Sequence, residues 1–252
     1  MSLPSVSIII PAYNRQAFIT DALRSAQLQR DTETDIVVVD DGSLDGTSGA
    51  VRKATLTDRR IRLIETPHGG VAKARNVGLR EARSEFVTFL DSDDLFAPNR
   101  LRRQIDKLRE RPEITVVTGH TQIFTGITGN FEPILASTSY RRTDPTLGSA
   151  MFRRSLFDEF GYLDESMEMG EDLDFFLKLF EADARILVEV ETVYYYRRHQ
   201  HNMTNDESAM YRGILKAYQK SIHRRKLAGR TRRLEVFFHR PFDREVVIGG
   251  KA

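Results

Sequence analysis

The stretch Phe86-Val87-Thr88-Phe89-Leu90-Asp91-Ser92-Asp93-Asp94 constrains this chain more than any other. Its first five residues are apolar or β-branched, the pattern of a buried strand. It then stops on three carboxylates within four positions. At the carboxyl end of a strand in an open α/β sheet, such a cluster lies where these sheets bind ligands. Like charges this close repel and raise one another's pKa unless something cationic sits among them. Mg²⁺ and Mn²⁺ favour carboxylate, water and phosphate oxygens, so one reading is a divalent cation shared with a phosphorylated ligand. The other reading is a solvated acidic turn that caps the next helix.

The preceding residues supply the sheet. Val6–Ile10 reads as a strand that stops at the turn-forming Pro11-Ala12-Tyr13-Asn14. A helical face follows in Phe18, Ile19, Ala22, Leu23 and Ala26. Asp35–Val39 is a second strand, closed by Asp40-Asp41-Gly42-Ser43, and a helix runs through Val51. Ile61–Ile64 is a third strand, and a flexible His68-Gly69-Gly70 loop leads into a helix over Val71–Ala82. Strand–helix alternation of this kind predicts a parallel, doubly wound α/β sheet with helices on both faces. Tyr13-Asn14, Asp40-Asp41-Gly42-Ser43 and Asp91-Ser92-Asp93-Asp94 then share one sheet edge, where a ligand crevice is expected.

Past Asn99 the rhythm changes. A charged amphipathic helix covers Arg100–Glu110, a strand Ile114–Thr118, and a hairpin or long loop residues 120–145. A strand near Gly148–Phe152 and a short helix over Ser155–Phe160 follow. Gly170-Glu171-Asp172 opens a helix with Leu173, Phe176, Leu177 and Phe180 on its apolar side, and Asp174 is placed toward solvent. Two strands, Arg185–Val188 and Thr192–Tyr196, precede a polar loop to Thr204, and a last helix spans Asp206–Lys226.

With 252 residues the chain can hold one large α/β domain or two small ones. It has no cysteine, which excludes disulfides and thiolate chemistry and fits a reducing, cytoplasmic setting. No apolar run approaches the ~20 residues of a membrane span. The formal net charge of +2 says little, but Lys220, Arg224, Arg225, Lys226, Arg230, Arg232 and Arg233 stand in a run without an acid. A solvated helix end is expected there; peripheral contact with anionic lipid on the inner membrane face is the alternative. Nucleic acid is not an expected partner, because the run lacks interleaved aromatics.

Five motifs stand in the order and rough spacing of family 2 glycosyltransferases: Pro11-Ala12-Tyr13-Asn14, Asp40-Asp41-Gly42-Ser43, Ala74-Arg75-Asn76-x-Gly78, Leu90-Asp91-Ser92-Asp93-Asp94 and Gly170-Glu171-Asp172. The chain resembles that family over about residues 5–205. The resemblance implies a GT-A fold, with a Rossmann-like, mostly parallel, doubly wound sheet. It implies an inverting enzyme that uses a nucleotide-sugar donor, a UDP-sugar above all, and Mn²⁺ or Mg²⁺. The expected division is a nucleotide-sugar-binding half (1–99), an acceptor-binding and catalytic half (100–205) and a C-terminal helical, basic extension (206–252).

The resemblance also implies roles. Pro11, Ala12 and Tyr13 would line the base, with Tyr13 stacking on it. Asp40 or Asp41 would accept the uracil N3–H; the alternative for each is turn chemistry at a strand end. Arg75 would stand near base and phosphates, or else form a surface ion pair on its helix. Asp91 would face the ribose with Ser92 beside it, Asp93 the metal bridging the diphosphate, and Asp94 rivals both for metal or ribose contact. Asp172 would be the base that takes the acceptor's proton, with Glu171 orienting acceptor or base; otherwise both are first-turn acids at a helix N-terminus. Arg198 and His199, with Asn202, would belong to a late loop over the diphosphate. His199 and His201 could also be read as a metal pair.

Two other enzyme classes share parts of this pattern. A haloacid-dehalogenase-type phosphatase carries its Asp-x-Asp on the first strand, whereas here three strand–helix units come first. A sugar nucleotidyltransferase carries a Gly-rich loop after its first strand, which Pro11-Ala12-Tyr13-Asn14-Arg15 is not. A non-catalytic sugar-binding module would not need Asp93 and Asp172 together. The acceptor expected from the resemblance is a carbohydrate or a lipid-linked sugar, in cell-envelope polysaccharide or glycan synthesis.

Overall fold

The computed structural model describes residues 3–137, 143, 146–229 and 244–249. β1 (Ser5–Ala12), β2 (Glu33–Asp40), β3 (Ile61–Glu65) and β4 (Phe86–Phe89) pair in parallel, in the order β4-β1-β2-β3. Their side chains are apolar on both faces because both faces are covered. Ile8, Ile10, Ile36 and Val38 pack under α1 (Ile19–Gln27), α2 (Thr47–Thr57) and α4 (Arg100–Glu110). Ile9, Val87 and Phe89 face α3 (Val71–Glu81), α5 (Ser155–Phe160) and α6 (Glu171–Glu181). Burying each of these large side chains is worth about 1.5–3 kcal/mol, so the two cores fix the register of every strand.

The second half of the sheet is mixed. β8 (Ala150–Arg153) runs antiparallel between β4 and β6 (Val116–Ile127), and β9 (Ile186–Arg197) lies parallel to β6. β10 (Val246–Ile248) closes that edge antiparallel to β9. Short β5 (Leu95–Phe96) pairs with β9, and β7 (Pro133–Leu135) pairs with β6. The doubly wound α/β fold is therefore present, with parallel pairing concentrated in β1–β4. The two strands expected over Arg185–Val188 and Thr192–Tyr196 are one continuous strand, which absorbs the polar Glu189–Glu191 at a register shift opposite His120. β6 likewise runs on to Ile127 and turns back as a hairpin; residues 138–142, 144 and 145 of the predicted hairpin or loop lie outside the described residues.

Arg100 is fully buried where the halves meet. It donates to the carbonyls of Gly148 and Val193 and to the Thr88 hydroxyl, and its guanidinium lies over the Phe96 ring. A buried guanidinium is tolerated only with its donors satisfied, and these bonds tie α4 to β4, to β9 and to the turn that leads into β8.

The last helix, α7 (Glu207–Leu227), starts at Asp206, whose side chain accepts from Ala209 N–H at 2.9 Å. It lies on Met169–Gly170 and α6 through the buried Gly213, Ala217 and Ser221. Two expectations are corrected here. Asp174 is not at the surface; it is buried and accepts from Arg224 at 2.7 Å and Lys220 at 3.1 Å. Nor are Lys220 and Arg224 part of a purely solvated basic end. Lys220 also pairs with Asp164, and Arg224 grips Glu181 at 2.7 and 2.9 Å. Arg230, Arg232 and Arg233 lie outside the described residues.

Candidate active site

The carboxyl ends of β1, β2 and β4 open on one cavity of about 690 Å³. Its lining includes Pro11, Ala12, Tyr13, Asp41, Arg75, Asp91, Ser92, Asp93 and Asp94, and, from the second half of the chain, Glu171 and Asp172. Asp40, Arg198 and His199 are absent from that lining.

The two aspartates after β2 have separate surroundings. Asp40 accepts from Ser43 N–H at 2.8 Å and from the Ser48 hydroxyl, which holds the turn after β2. Asp41 reaches the cavity and accepts from Gly69 N–H at 2.9 Å and Gly70 N–H at 2.8 Å. The His68-Gly69-Gly70 loop, expected to be flexible, is thus pinned by a buried carboxylate. His68 adds a contact at 2.9 Å to the same carboxylate and stacks on Tyr13 with ring centroids 4.1 Å apart.

Arg75 occupies the centre. Gly78, one turn further along α3, lets the helix approach β1: a Cβ there would meet Ile9 Cγ2 at 2.4 Å. That approach sinks Arg75 into the protein, contrary to the surface ion pair considered as its alternative. Its Nη2 donates to Asp91 Oδ1 at 2.7 Å, and its Nη1 to Asp172 Oδ1 at 2.8 Å and to Glu171 Oε1. Burial works against the guanidinium charge, but Asp172, Asp91 and Glu171 outweigh it and hold its pKa well above the ordinary value. Asn76, next in the motif, clamps Leu163 through both main-chain groups, at 2.9 and 3.0 Å. This fixes the segment that leads to Gly170.

Gly170 has φ +81° and starts α6. A side chain there would be strained, and its Cβ would meet the Gly213 backbone at 2.9 Å. The turn presents Glu171 and Asp172 to Arg75. Asp172 Oδ2 also accepts from Leu147 N–H at 3.0 Å, so both of its oxygens are oriented. Burial, with the Asp172 charge beside it, pushes the Glu171 carboxyl up to about 8.

The acidic stretch is held from behind by the late loop. Arg197, which the sequence reading passed over for Arg198, donates its N–H to Asp94 Oδ1 at 2.7 Å and its Nε to the Asp93 carbonyl at 2.8 Å. The Arg198 side chain is exposed. His199 Nε2 lies 3.0 Å from Asp93 Oδ2, its ring stacks on Phe18, and Asn202 holds its N–H at 2.6 Å. Arg15 Nε donates to the same Asp93 oxygen at 3.2 Å. Burial opposes ionisation of Asp93, but the His199 hydrogen bond and the Arg15 charge hold its pKa below the ordinary value. Asp94 is pushed well above its ordinary value by burial and by the charges of Asp93 and Asp91.

The cationic partners that the acidic cluster demands are thus protein groups, Arg75 for Asp91 and Arg15 for Asp93, with His199 Nε2 beside the same Asp93 oxygen. Arg15 and His68 were missed as site residues. Arg15 directly follows Pro11-Ala12-Tyr13-Asn14, and its position was the available signal. Among the described residues no group of three His, Asp or Glu side chains is arranged to hold a metal by itself. A cation here would therefore draw most of its oxygens from a ligand and water, which is how Mg²⁺ is held beside phosphates. Asp91 and Asp93 suit that use, because Arg75 takes only Oδ1 of the first, and Arg15 and His199 only Oδ2 of the second.

Known proteins resemble this chain in sequence and fold. TuaG of Bacillus subtilis (strain 168), a putative teichuronic acid biosynthesis glycosyltransferase, is 34% identical over 119 residues, 47% of each chain. TarS from S. aureus, solved in complex with UDP-GlcNAc, is 25% identical with a TM-score of 0.62, covering 80% of this chain and 61% of that one. The mannosyltransferase PcManGT from Pyrobaculum calidifontis, solved with GDP-Man and Mn²⁺, shares the fold at a TM-score of 0.69 and 22% identity, over 88% of this chain and 65% of that one. The chain spans about half the length of two curated relatives that it matches and under a third of three others. The family model for glycosyl transferase family 2 matches residues 7–161, which run from within β1 to just past α5 and hold four of the five motifs, and the chain belongs to that family.

Proposed function

We propose that the chain moves a glycosyl group from a nucleotide diphosphate sugar, with a UDP-sugar favoured, to a hydroxyl of a carbohydrate or lipid-linked sugar acceptor, with inversion at the anomeric carbon. One observation carries this reading: the single guanidinium of Arg75 spans Asp91 and Asp172, so a carboxylate suited to the diphosphate side and one suited to a base share one rim. Cell-envelope polysaccharide synthesis is the proposed context, supported by the likeness to TuaG, a putative teichuronic acid biosynthesis glycosyltransferase. The UDP preference is supported by the likeness to TarS.

The donor base lies against Tyr13 and the loop pinned by Asp41. The diphosphate lies over Asp91 and Asp93. Asp93, with Asp91 or Asp94, would hold Mn²⁺ or Mg²⁺ there, and a bound cation would supply Lewis-acid stabilisation of the departing diphosphate. Asp172 takes the proton of the acceptor hydroxyl. The acceptor oxygen forms its bond to the anomeric carbon as the bond to the diphosphate breaks, and the electron pair leaves on the diphosphate oxygen. Leu147 N–H and Arg75 orient Asp172 for that transfer. Glu171, its carboxyl pushed up to about 8, carries its proton at neutral pH beside Asp172.

The test is incubation with labelled UDP-sugars and GDP-mannose. Transfer, or slow release of UDP and free sugar without acceptor, supports the reading. Pyrophosphorolysis, or binding with no turnover under any condition, overturns it.

A further inference from the structure

Helix α7 turns its bulky residues outward. Its inner face meets α6 through the small Gly213, Ala217 and Ser221, while Tyr211, Leu215, Tyr218 and Ile222 are 39–61% exposed. Their spacing of four, three and four residues sets them in one stripe along the helix. A surface helix ordinarily buries such a stripe, so this face is suited to a partner. The stripe is flanked by cations. From Ser208 to Leu227 the helix carries no acid, and Arg212 and Lys226 are exposed beside it. Lys220 and Arg224 point the other way, into Asp164, Asp174 and Glu181.

We propose that α7 docks on an anionic phospholipid bilayer, with Tyr211, Leu215, Tyr218 and Ile222 in the headgroup–acyl boundary and Arg212 and Lys226 among the phosphates. Charge complementarity selects this occupant. The stripe spacing also suits a second copy of the helix, but apart from Glu207 in the first turn the charged residues of α7 are all cationic, and two such helices would set most of them against one another. An amphipathic helix with basic flanks gains from both apolar burial and attraction to anionic headgroups. The aromatic residues suit the interface, where one end of the ring is apolar and the other wet. No helix of the described residues is long and apolar enough to cross a membrane, so this is a surface contact. The helix leaves the cavity rim just after Met203 and Thr204, which line the cavity. A bilayer beneath α7 thus lies beside the cavity mouth, which favours a membrane-borne acceptor; that last step rests on the transfer reading above, and the docking itself does not.

Vesicle flotation tests the docking without any donor. The full chain should float with mixed phosphatidylglycerol–phosphatidylcholine vesicles and much less with phosphatidylcholine alone. Leu215→Gln/Ile222→Gln should lower partitioning by about tenfold or more, and Arg212→Gln/Lys226→Gln by about tenfold on anionic vesicles only. All variants should keep the wild-type melting temperature within a few degrees, since these side chains are exposed. Equal partitioning to neutral and anionic vesicles overturns the proposal. So does wild-type partitioning in both variants, or a concentration-dependent dimer in sedimentation that Leu215→Gln/Ile222→Gln dissolves.

Discussion

Arg75 Nη1 donates to Asp172 Oδ1 at 2.8 Å, joining α3 to the first turn of α6 across 97 positions of sequence. The same side chain holds Asp91, so it sets the spacing between the acidic end of β4 and the proposed base. Arg75→Lys keeps the charge but loses the planar fork. Transfer should fall by roughly 10²-fold, the scale of a small misplacement of reacting groups. Arg75→Met leaves Asp91 and Asp172 without their shared cation and should cost about 3–5 kcal/mol of stability. Kinetics of the first variant and denaturant unfolding of the second check this, and wild-type transfer in Arg75→Lys contradicts it.

Asp172→Asn keeps the size and a hydrogen-bonding oxygen at the helix start but cannot take a proton. Turnover should fall by roughly 10²–10⁴, while UDP binding stays close to wild type. Transfer assays paired with calorimetry decide. Near-normal turnover moves the base elsewhere on the first turn of α6.

Asp93→Asn should weaken UDP binding in Mn²⁺ and change it little in EDTA, because the lost charge acts through the cation. Arg15→Gln offers a contrast, since it frees the same Asp93 oxygen from a competing cation. It should leave the metal dependence in place. Calorimetry in both conditions gives the comparison; equal weakening of Asp93→Asn in EDTA assigns Asp93 to the nucleotide itself.

UDP should bind more tightly than GDP or ADP, and the two aspartates after β2 should separate. Asp41→Asn can no longer accept from both Gly69 and Gly70 and should weaken UDP binding and loosen the loop. Asp40→Asn should cost about 1–3 kcal/mol of stability through its turn, with little change in affinity. Calorimetry and melting of each variant check this; the reverse pattern assigns the base contact to Asp40.

Glu171 makes stability depend on pH. Its folded pKa of about 8 lies above the ordinary 4.5, so the folded state keeps a proton that the unfolded chain releases. The pH-dependent cost of burying it is therefore absent below pH 4.5 and grows as pH rises toward about 8. The slope is at most about 1.4 kcal/mol per pH unit. Glu171→Gln should flatten this dependence and gain on wild type as pH rises through the window. Denaturant midpoints across that range measure it, and parallel curves for the two proteins contradict it.

Much of this molecule was legible in the residue order because local pattern and strand-end chemistry are local properties. Alternating apolar runs and helical faces placed β1–β4 and α1–α4, and the acidic ends of those strands marked the cavity edge. The family resemblance then gathered Tyr13, Asp41, Arg75, Asp91, Asp93 and Asp172, and the cavity brings these side chains to one lining. Partnership across the chain was not legible. Asp174 looked like a solvent-facing helix acid until α7 placed Lys220 and Arg224 against it. Asp40 and Asp41 are neighbours of identical chemistry, and only the approach of the Gly69–Gly70 backbone separates them. The late loop shows the same limit: Arg197 rather than Arg198 turns inward because strand side chains alternate between faces, and the register of β9 on β6 decides which residue is buried. The sequence alone determined which groups could carry charge and where strands would end. Only the tertiary structure decided which charges meet, because desolvation and pairing depend on segments that come from distant parts of the chain.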